Sequence, residues 1–286
     1  MIGFVNVYKP RGVTSFKIVG AIKRIYGIKR VGHLGTLDPM AEGVLPIAIG
    51  KATKFFDYFL KKDKVYNAEF KVGYETDTLD ADGEIIEESR VTVSLKQVQD
   101  MCKNFIGKIS QKPPKFSAIK INGQRAYKLA RDGKEFEIKP KQVEIYGLTA
   151  SNMLDENLFS LNIWCSAGTY IRSLGCDIFR ALGTRATMTK LVRVRSGTFR
   201  IEDSKTIEEI AKDLNSALIP IDKALCGVEV INLNEEQFAK IKNGVAIEYD
   251  SPDGRYLAKH NNIVVAFVNI ENKQMKNEIN LIEGND

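Results

Sequence analysis

The stretch from Gly32 to Pro46 has the residue types of a chemically specialised loop. It combines three glycines and two prolines with several apolar side chains, so it should be partly buried without forming a regular helix or strand. Its central carboxylate is Asp38, followed by Pro39. Taken alone, this pair predicts that Asp38 caps a short helix, because proline is favoured at the first helical position.

Metal and serine-hydrolase chemistry find little support in the sequence. The chain has only two histidines, His33 and His260, and its four cysteines include no C-x-x-C pair. A metal site is therefore not predicted, and the thiols should be reduced. No G-x-S-x-G motif is present, which argues against a serine nucleophile.

Nucleotide and calcium motifs also fail on inspection. Gly50-Lys51 is followed by Ala52 where a phosphate-binding loop needs Ser or Thr. The run from Asp80 to Gly83 resembles part of a calcium loop, but alignment on Gly83 places Ser89 at the twelfth, bidentate position. No G-x-G-x-x-G occurs, so the dinucleotide-binding fingerprint is absent from the sequence.

Positive charge is concentrated between Lys108 and Lys134, where Asp132 is the only acidic residue. The whole chain carries a net charge of +6, so this segment holds the entire excess. Aromatic residues are interleaved with the cations, and Pro113-Pro114 and Asn122-Gly123 punctuate the segment. This composition favours an excursion from the fold that contacts a phosphate backbone.

Hydrophobic periodicity predicts the elements that must position these groups. Alternation between Val65 and Tyr74 places Tyr66 on the apolar face of a strand, where core packing alone would also explain it. A helix starting at Thr169 would carry Arg172 in its first turn. Further strands are predicted at 3–9, 44–49, 142–148, 158–165 and 186–195, and further helices at 15–26, 51–60, 94–105 and 207–218.

Composition changes after Cys226-Gly227 to short strands with few helices. We therefore expect a large domain over residues 1–227, with a basic insertion at about 108–134, and a small strand-rich domain over 228–286. No run is long and apolar enough to span a membrane, and the N-terminus lacks signal-peptide features, so a cytoplasmic location is expected. Nothing in the sequence demands more than a monomer.

Several motifs, in order, resemble the TruB family of tRNA pseudouridine synthases in its bacterial stand-alone form. They are Asn6-Val7-Tyr8-Lys9-Pro10, Gly32 to Pro46, Lys64-Val65-Tyr66, Asp80-Ala81-Asp82-Gly83, Gln111-Lys112-Pro113-Pro114, Gly123 to Tyr127, Cys165 to Leu174, and Leu191 to Phe199. The resemblance covers about residues 3 to 225, and the remainder is vaguely similar to the family's PUA-type RNA-binding domain. It implies an α+β pseudouridine synthase fold, with a large mixed, mainly antiparallel sheet flanked by helices.

The resemblance also implies a reaction: isomerisation of uridine-55 in the TΨC arm of tRNA to pseudouridine, without a cofactor. Asp38 would be the nucleophile, Arg172 its ion-pair partner, and Tyr66 a stacking partner of the base that could also transfer a proton. Leu191 would form the apolar wall on the base's other side, and His33 would assist extrusion of the base. The predicted RNA contacts are Lys9, Lys112, Lys115, Lys120, Arg125 and Tyr127.

Two alternatives remain open at this stage. A non-catalytic RNA-binding or tRNA-folding protein would explain the basic segment but has no need of Asp38, Tyr66 and Arg172 together. A related synthase acting on other RNA within a guide-RNA particle shares the motifs, although such relatives lack the long basic excursion. The sequence also leaves open whether Asp38 attacks C1′, adds to the base, or leads through a glycal.

Overall fold

The structure, a computed structural model, describes residues 1–152, 155 and 157–282. The strands lie at β1 Gly3–Lys9, β2 Val31–His33, β3 Glu42–Ile49, β4 Lys64–Val72, β5 Tyr74–Thr76, β6 Ile85–Glu88, β7 Gly107–Gln111, β8 Lys120–Ile121, β9 Gln124–Arg125, β10 Lys141–Asn152, β11 Leu158–Cys165, β12 Ala186–Ser196, β13 Phe199–Arg200, β14 Glu229–Asn232, β15 Ile247–Glu248, β16 Gly254–His260, β17 Ile263–Glu271 and β18 Gln274–Asn280. The α-helices lie at α1 Ser15–Tyr26, α2 Phe56–Leu60, α3 Leu95–Lys103, α4 Ala126–Arg131, α5 Ile171–Ala181, α6 Ile207–Lys212, α7 Leu214–Ala217, α8 Ile221–Ala224 and α9 Glu235–Lys242.

The larger sheet has the order β1-β3-β12-β4-β11-β10-β7, with β2 joined to β3 and β13 to β12. All its neighbouring pairs are antiparallel except β12 with β3, which is parallel and pairs through Val192 and Arg193. The predicted fold class, a large mixed and mainly antiparallel sheet with helices and a strand-rich C-terminal part, is confirmed.

One face of the larger sheet buries its side chains against helices. Tyr66, Ala68, Phe70 and Val72 alternate along β4 and are buried, as their period of two requires. Helix α5 packs closely on this face because Gly175 has no side chain: a Cβ there would overlap the ring of Phe70. The position of α5 is therefore fixed by a glycine at the contact.

The smaller sheet has the order β14-β16-β17-β18-β15. Its Phe267 stacks edge-on against Phe55 of the first part of the chain, with ring centroids 5.4 Å apart. Phe267 is buried in one hydrophobic cluster with Phe4, Phe55 and Phe59. The two sheets thus share a hydrophobic cluster at their junction.

The structure differs from the predicted elements in several places. The helix predicted over 51–60 is α-helical only over Phe56–Leu60, because Gly50–Phe55 forms a 3-10 helix. The helix predicted over 207–218 is interrupted, because the side chain of Asp213 accepts a hydrogen bond from the backbone N–H of Ser216 and starts a new helix. Lys108, predicted to open the basic insertion, lies in edge strand β7, so the excursion itself leaves the sheet after Gln111.

Within the described residues, no helix is long and apolar enough to cross a membrane.

Candidate active site

The loop between β2 and β3 carries Asp38 in a hydrogen-bonded turn rather than at a helix start. The N–H of Ala41 donates to the carbonyl of Asp38 at 3.1 Å, and no helix follows Pro39. The predicted helix cap is therefore wrong. Glu42 begins β3 directly after the turn, and that strand's pairing leaves no room for a helix.

Arg193 on β12 holds this loop from beneath. Its guanidinium is almost fully buried and donates to the carbonyls of Gly35, Thr36 and Val44. Three carbonyls on one guanidinium fix both arms of the loop to the sheet. Gly43 permits the close approach, because it has φ +103° and lies against the backbone of Arg193.

Residues at the start of α1 hold the loop from the side. The hydroxyl of Ser15 donates to the carbonyl of Leu37 at 2.8 Å and accepts from its N–H at 2.9 Å. Lys9, predicted to contact substrate, is fully buried, and its ammonium donates to the carbonyls of Pro10, Val13 and Pro39. In this structure Lys9 therefore holds the loop from inside. Burial lowers the pKa of Lys9 to about 8, and the charge of Asp38 opposes that shift.

Arg172 lies directly against Asp38. The guanidinium Nη2 is 3.0 Å from the Asp38 carboxylate, and the Arg172 side chain is 8% exposed while that of Asp38 is 43% exposed. A buried cation thus faces a carboxylate that is open to solvent. Such a charge-assisted hydrogen bond fixes the carboxylate without covering it.

Further contacts make Arg172 a fixed point among three segments. It also donates to the carbonyls of Thr78 and Phe116, at 2.8 and 3.0 Å. Because the side chain of Gln111 pairs with the N–H and the carbonyl of Tyr170, the first turn of α5 is held even though Tyr170 supplies no side-chain cap.

Asp80 is a site residue that the residue pattern did not assign. Its carboxylate lies 3.2 Å from Nη1 of Arg172 and is 8% exposed. Thr78 and the N–H of Asp82 also donate to it. Burial raises the pKa of Asp80, while the hydrogen bond from Thr78 and the charge of Arg172 oppose the rise. On sequence alone, Asp80 is considered only as part of a calcium-loop-like turn, and its contact with Arg172 is not predicted. The motif Asp80-Ala81-Asp82-Gly83, which resembles the family's, was the one signal that could have indicated a site residue here.

Tyr66 and Leu191 lie on the same face of adjacent strands. Tyr66 is paired with Arg193, and Leu191 with Ala68, across β4 and β12. Both side chains are buried. Burial raises the pKa of Tyr66, and the neighbouring Arg193 opposes this, so the phenol is protonated at neutral pH. The structure brings these two residues, Arg193 and the Asp38 loop into one neighbourhood.

His33 ends β2 at the entry to the loop and is half-buried. Its Nδ1 is buried without a hydrogen-bond partner among the described residues. Burial and the charge of Arg193 lower the pKa of His33 below its ordinary value. The ring is therefore neutral at pH 7.

Apart from Lys9, the predicted RNA contacts lie on the excursion between β7 and β10. Four of these residues are exposed, namely Lys112, Lys115, Lys120 and Arg125, and Tyr127 is half-buried. Asn122 and Gly123, with φ +47° and +83°, form the turn between β8 and β9. The excursion meets the site through the carbonyl of Phe116, which accepts a hydrogen bond from Arg172.

Together these residues can support chemistry at a substrate that reaches Asp38 from solvent. The arrangement offers a fixed, half-exposed carboxylate, a buried cation behind it, and neighbouring aromatic and aliphatic side chains. Among the described residues, no group of three His, Cys, Asp or Glu side chains could hold a metal ion.

Comparison with known proteins gives consistent matches. Residues 23–171 match the family model described as TruB family pseudouridylate synthase, N terminal domain. The chain is 41% identical over 249 residues to tRNA pseudouridine synthase B of Clostridium perfringens, covering 86% of this chain and 85% of that protein. It is 44% identical over 254 residues to the protein of that name from Clostridium tetani, covering 87% and 86%.

Solved structures share the fold. The structure of an H/ACA RNP bound to a substrate RNA containing 2'-deoxyuridine aligns with a TM-score of 0.73 at 22% identity, over 98% of this chain and 85% of that chain. A Cbf5-Nop10-Gar1 complex aligns with a TM-score of 0.71 at 23% identity, over 99% and 84%. At these identities the likeness concerns the fold alone.

Proposed function

The chain belongs to the TruB family of pseudouridylate synthases, and we propose that it converts uridine-55 in the TΨC arm of tRNA to pseudouridine. The relatives reported above carry the name tRNA pseudouridine synthase B, which supports tRNA as the substrate. The chain covers most of their length.

The observation that carries the proposal is the pairing of Asp38 with Arg172. Their 3.0 Å contact joins a carboxylate that solvent can reach to a guanidinium that it cannot. A merely structural ion pair would not need one partner to be open to solvent. A nucleophilic carboxylate does, because it must stay oriented while remaining reachable by the sugar–base junction.

The proposed reaction rearranges one nucleotide. The N1–C1′ glycosidic bond breaks, the base turns within the site, and a C5–C1′ bond forms. The proton on C5 is lost and N1 gains one, so no oxidant, reductant or second substrate is consumed. Asp38 acts at the sugar–base junction, and the protonated phenol of Tyr66 suits stacking on the base and donation of a hydrogen bond.

Access to the uridine requires that it leave the stacked arm of the RNA. The exposed cations between Lys112 and Lys134 would contact phosphates and hold the arm over Asp38. We assign Leu191 to the apolar wall beside the extruded base, and His33, a neutral ring at the loop entry, to support of the vacated stack.

We further propose that the protein acts alone, as a monomer, with residues 1–227 as the synthase domain and 228–286 as a PUA-like RNA-binding domain. The ordered excursion with its hairpin and α4 supports the stand-alone form, because the protein carries its own basic surface for the RNA.

Tritium release tests the reaction. A tRNA transcript labelled with tritium at uridine C5 should release the label as C5 bonds to C1′, and Asp38→Asn should bind the transcript without releasing tritium. A transcript with cytidine at position 55 serves as the matched substrate and should release none.

Two outcomes would count against the proposal. Release by the Asp38→Asn variant at the wild-type rate would remove Asp38 from its role. Undiminished release from the cytidine-55 transcript would keep the synthase reaction but refute the choice of uridine-55.

A further inference from the structure

Helix α1 has an exposed face that the site does not use. Its opposite face is buried through Ser15, Ile18, Val19 and Ile22. At 100° per residue, five of the remaining positions fall within one arc of roughly 120°. That arc carries Phe16, Lys17, Gly20, Lys23 and Arg24, which we call the α1 stripe.

The cations of the α1 stripe have no acidic partners in the part of the chain that the structure describes. Every ionisable side chain before Asp38 other than Tyr8, Tyr26 and His33 is basic: Lys9, Arg11, Lys17, Lys23, Arg24, Lys29 and Arg30. Lys17, Lys23 and Arg24 are exposed and form no ion pair with the described residues. Elsewhere, exposed cations such as Lys103 and Lys240 have carboxylate partners on their own helices. The stripe is therefore a surface of uncompensated positive charge.

Gly20 in the middle of the stripe has no structural explanation. A glycine inside a helix destabilises it relative to alanine. A Cβ at Gly20 would meet nothing within 4 Å, so packing does not require the glycine. Because Gly20 has no side chain, the helix surface between the cations is unobstructed, and the backbone of a ligand could approach it closely.

Phe16 at the start of the stripe is 79% exposed. A large aromatic ring this exposed beside cations is a common feature of surfaces that bind single-stranded or looped RNA. Its neighbour Ser15 is hydrogen-bonded to Leu37, which lies in the loop between β2 and β3. The stripe therefore begins directly beside the loop that carries Asp38.

We propose that the α1 stripe binds the phosphate backbone of the tRNA substrate, as a second RNA contact separate from the excursion after β7. This inference rests on the proposed function, because it takes the same tRNA as its ligand. Lys17 and Arg24 are seven residues apart, about 10 Å along the helix axis at 1.5 Å per residue. That separation lets the two cations contact different phosphates of one strand.

The test compares two pairs of cations with the same helical spacing. Lys17→Gln with Arg24→Gln removes two charges from the stripe. Lys96→Gln with Lys103→Gln removes two exposed charges, also seven residues apart, from α3. The Kd of each variant for an unmodified tRNA transcript is measured between 50 and 200 mM salt.

We expect the α1 pair to weaken binding roughly tenfold and to reduce the slope of log K against log salt by about 1.5, which is two lost phosphate contacts. The α3 pair should change Kd less than about twofold, because the proposed contact does not include α3 and distant surface charges are screened by salt. Gly20→Gln should raise the melting temperature, since glutamine favours helix, yet weaken tRNA binding. This opposite movement separates binding from folding.

An unchanged Kd and slope in the α1 pair, with pseudouridine still formed, would overturn this inference alone; a stripe that serves a protein partner would give that result. Failure of the wild type to form pseudouridine, with the α1 pair still weakened in tRNA binding, would overturn the proposed reaction and leave the stripe supported.

Discussion

Arg172 differs from an ordinary arginine in the first turn of a helix. Instead of lying in solvent, it is buried between two carboxylates, Asp38 and Asp80, and bonded to two carbonyls. A substitution therefore affects both the proposed chemistry and the fold, because it leaves Asp80 buried without its cation.

Arg172→Ala should lower the free energy of unfolding by about 3 kcal/mol, since breaking one side of a buried ion pair is strongly destabilising. Adding Asp80→Asn should recover part of that loss, because an amide in place of the buried carboxylate carries no unpaired charge. Urea unfolding measures the stability, and tritium release should stay lost in both variants.

The single variant Asp80→Asn supplies the control for additivity. Should the double variant be no more stable than Arg172→Ala, the unpaired charge of Asp80 would not be the source of the loss. Recovery of tritium release in the double variant would contradict the role proposed for Arg172.

At the residue scale, the sequence motifs predicted the contact between Asp38 and Arg172, and the structure brings the two together. They did not indicate Arg193. Its neighbours Val192 and Val194 imply that an arginine between them points to solvent, yet Arg193 is buried and the valines are half-exposed. The reversal arises because the loop carbonyls offer Arg193 three acceptors, a long-range feature that local alternation does not encode.

At the scale of elements, the loop that carries Asp38 depends on the ammonium of Lys9. Its pKa of about 8 means that it is charged at pH 7 and loses its proton as the pH rises through 8. A neutral amine has fewer and weaker donors for the carbonyls of Val13 and Pro39 and no longer attracts Asp38. The loop should then lose its fixed position.

We therefore expect kcat/KM to fall above about pH 8 in the wild type. Lys9→Met should be less active throughout and should lack this alkaline limb. Lys64→Met is the matched control, since burial also lowers the pKa of Lys64 to about 8, but its ammonium bonds to the carbonyls of Leu60 and Lys62. The limb should persist there, and its persistence in Lys9→Met would refute the role of Lys9.

The contact between α5 and β4 sets the position of Arg172. Gly175→Ala should destabilise the protein by about 1–3 kcal/mol, because the added methyl would press on the ring of Phe70. Phe70→Leu removes the outer ring carbons that the methyl would meet, so Gly175→Ala should destabilise the protein less in that background. Denaturant unfolding of the two single variants and the double variant should therefore show a coupling free energy between the two positions. Strict additivity would mean that the contact does not carry the strain.

Several elements were predictable because their signals are local. Strands at 3–9 and 158–165 match β1 and β11, and Gly27 ends α1 as expected. The start of the excursion was not predictable in this way. On sequence alone, Lys108 and the residues after it are assigned to the basic insertion, whereas β7 pairs with β10 and belongs to the larger sheet. Sequence charge does not reveal which stretch of a basic segment finds a strand partner.

At the scale of the whole molecule, the two sheets are joined by apolar packing. Phe267 of the small sheet contacts Phe55 and Tyr58, and Leu257 and Leu281 belong to the same cluster as Phe4. Such a shared cluster couples the stability of its two sides. The boundary proposed near residue 227 would then separate two units that depend on each other for burial of this cluster.

Phe267→Ala tests this coupling, and the chain's one tryptophan makes the measurement selective. Trp164 lies on β11 of the larger sheet, so its fluorescence follows the unfolding of the sheet that does not carry the substitution. Truncating a buried phenylalanine should cost about 3 kcal/mol. Coupled sheets should shift the Trp164 transition and the far-ultraviolet circular dichroism transition to lower denaturant together.

Ile263→Ala is the control, since that side chain is 67% exposed on the same strand and should shift neither transition. If Phe267→Ala leaves the Trp164 transition in place while circular dichroism shows an earlier step, the small sheet unfolds independently and the packing between the sheets contributes nothing to the larger one.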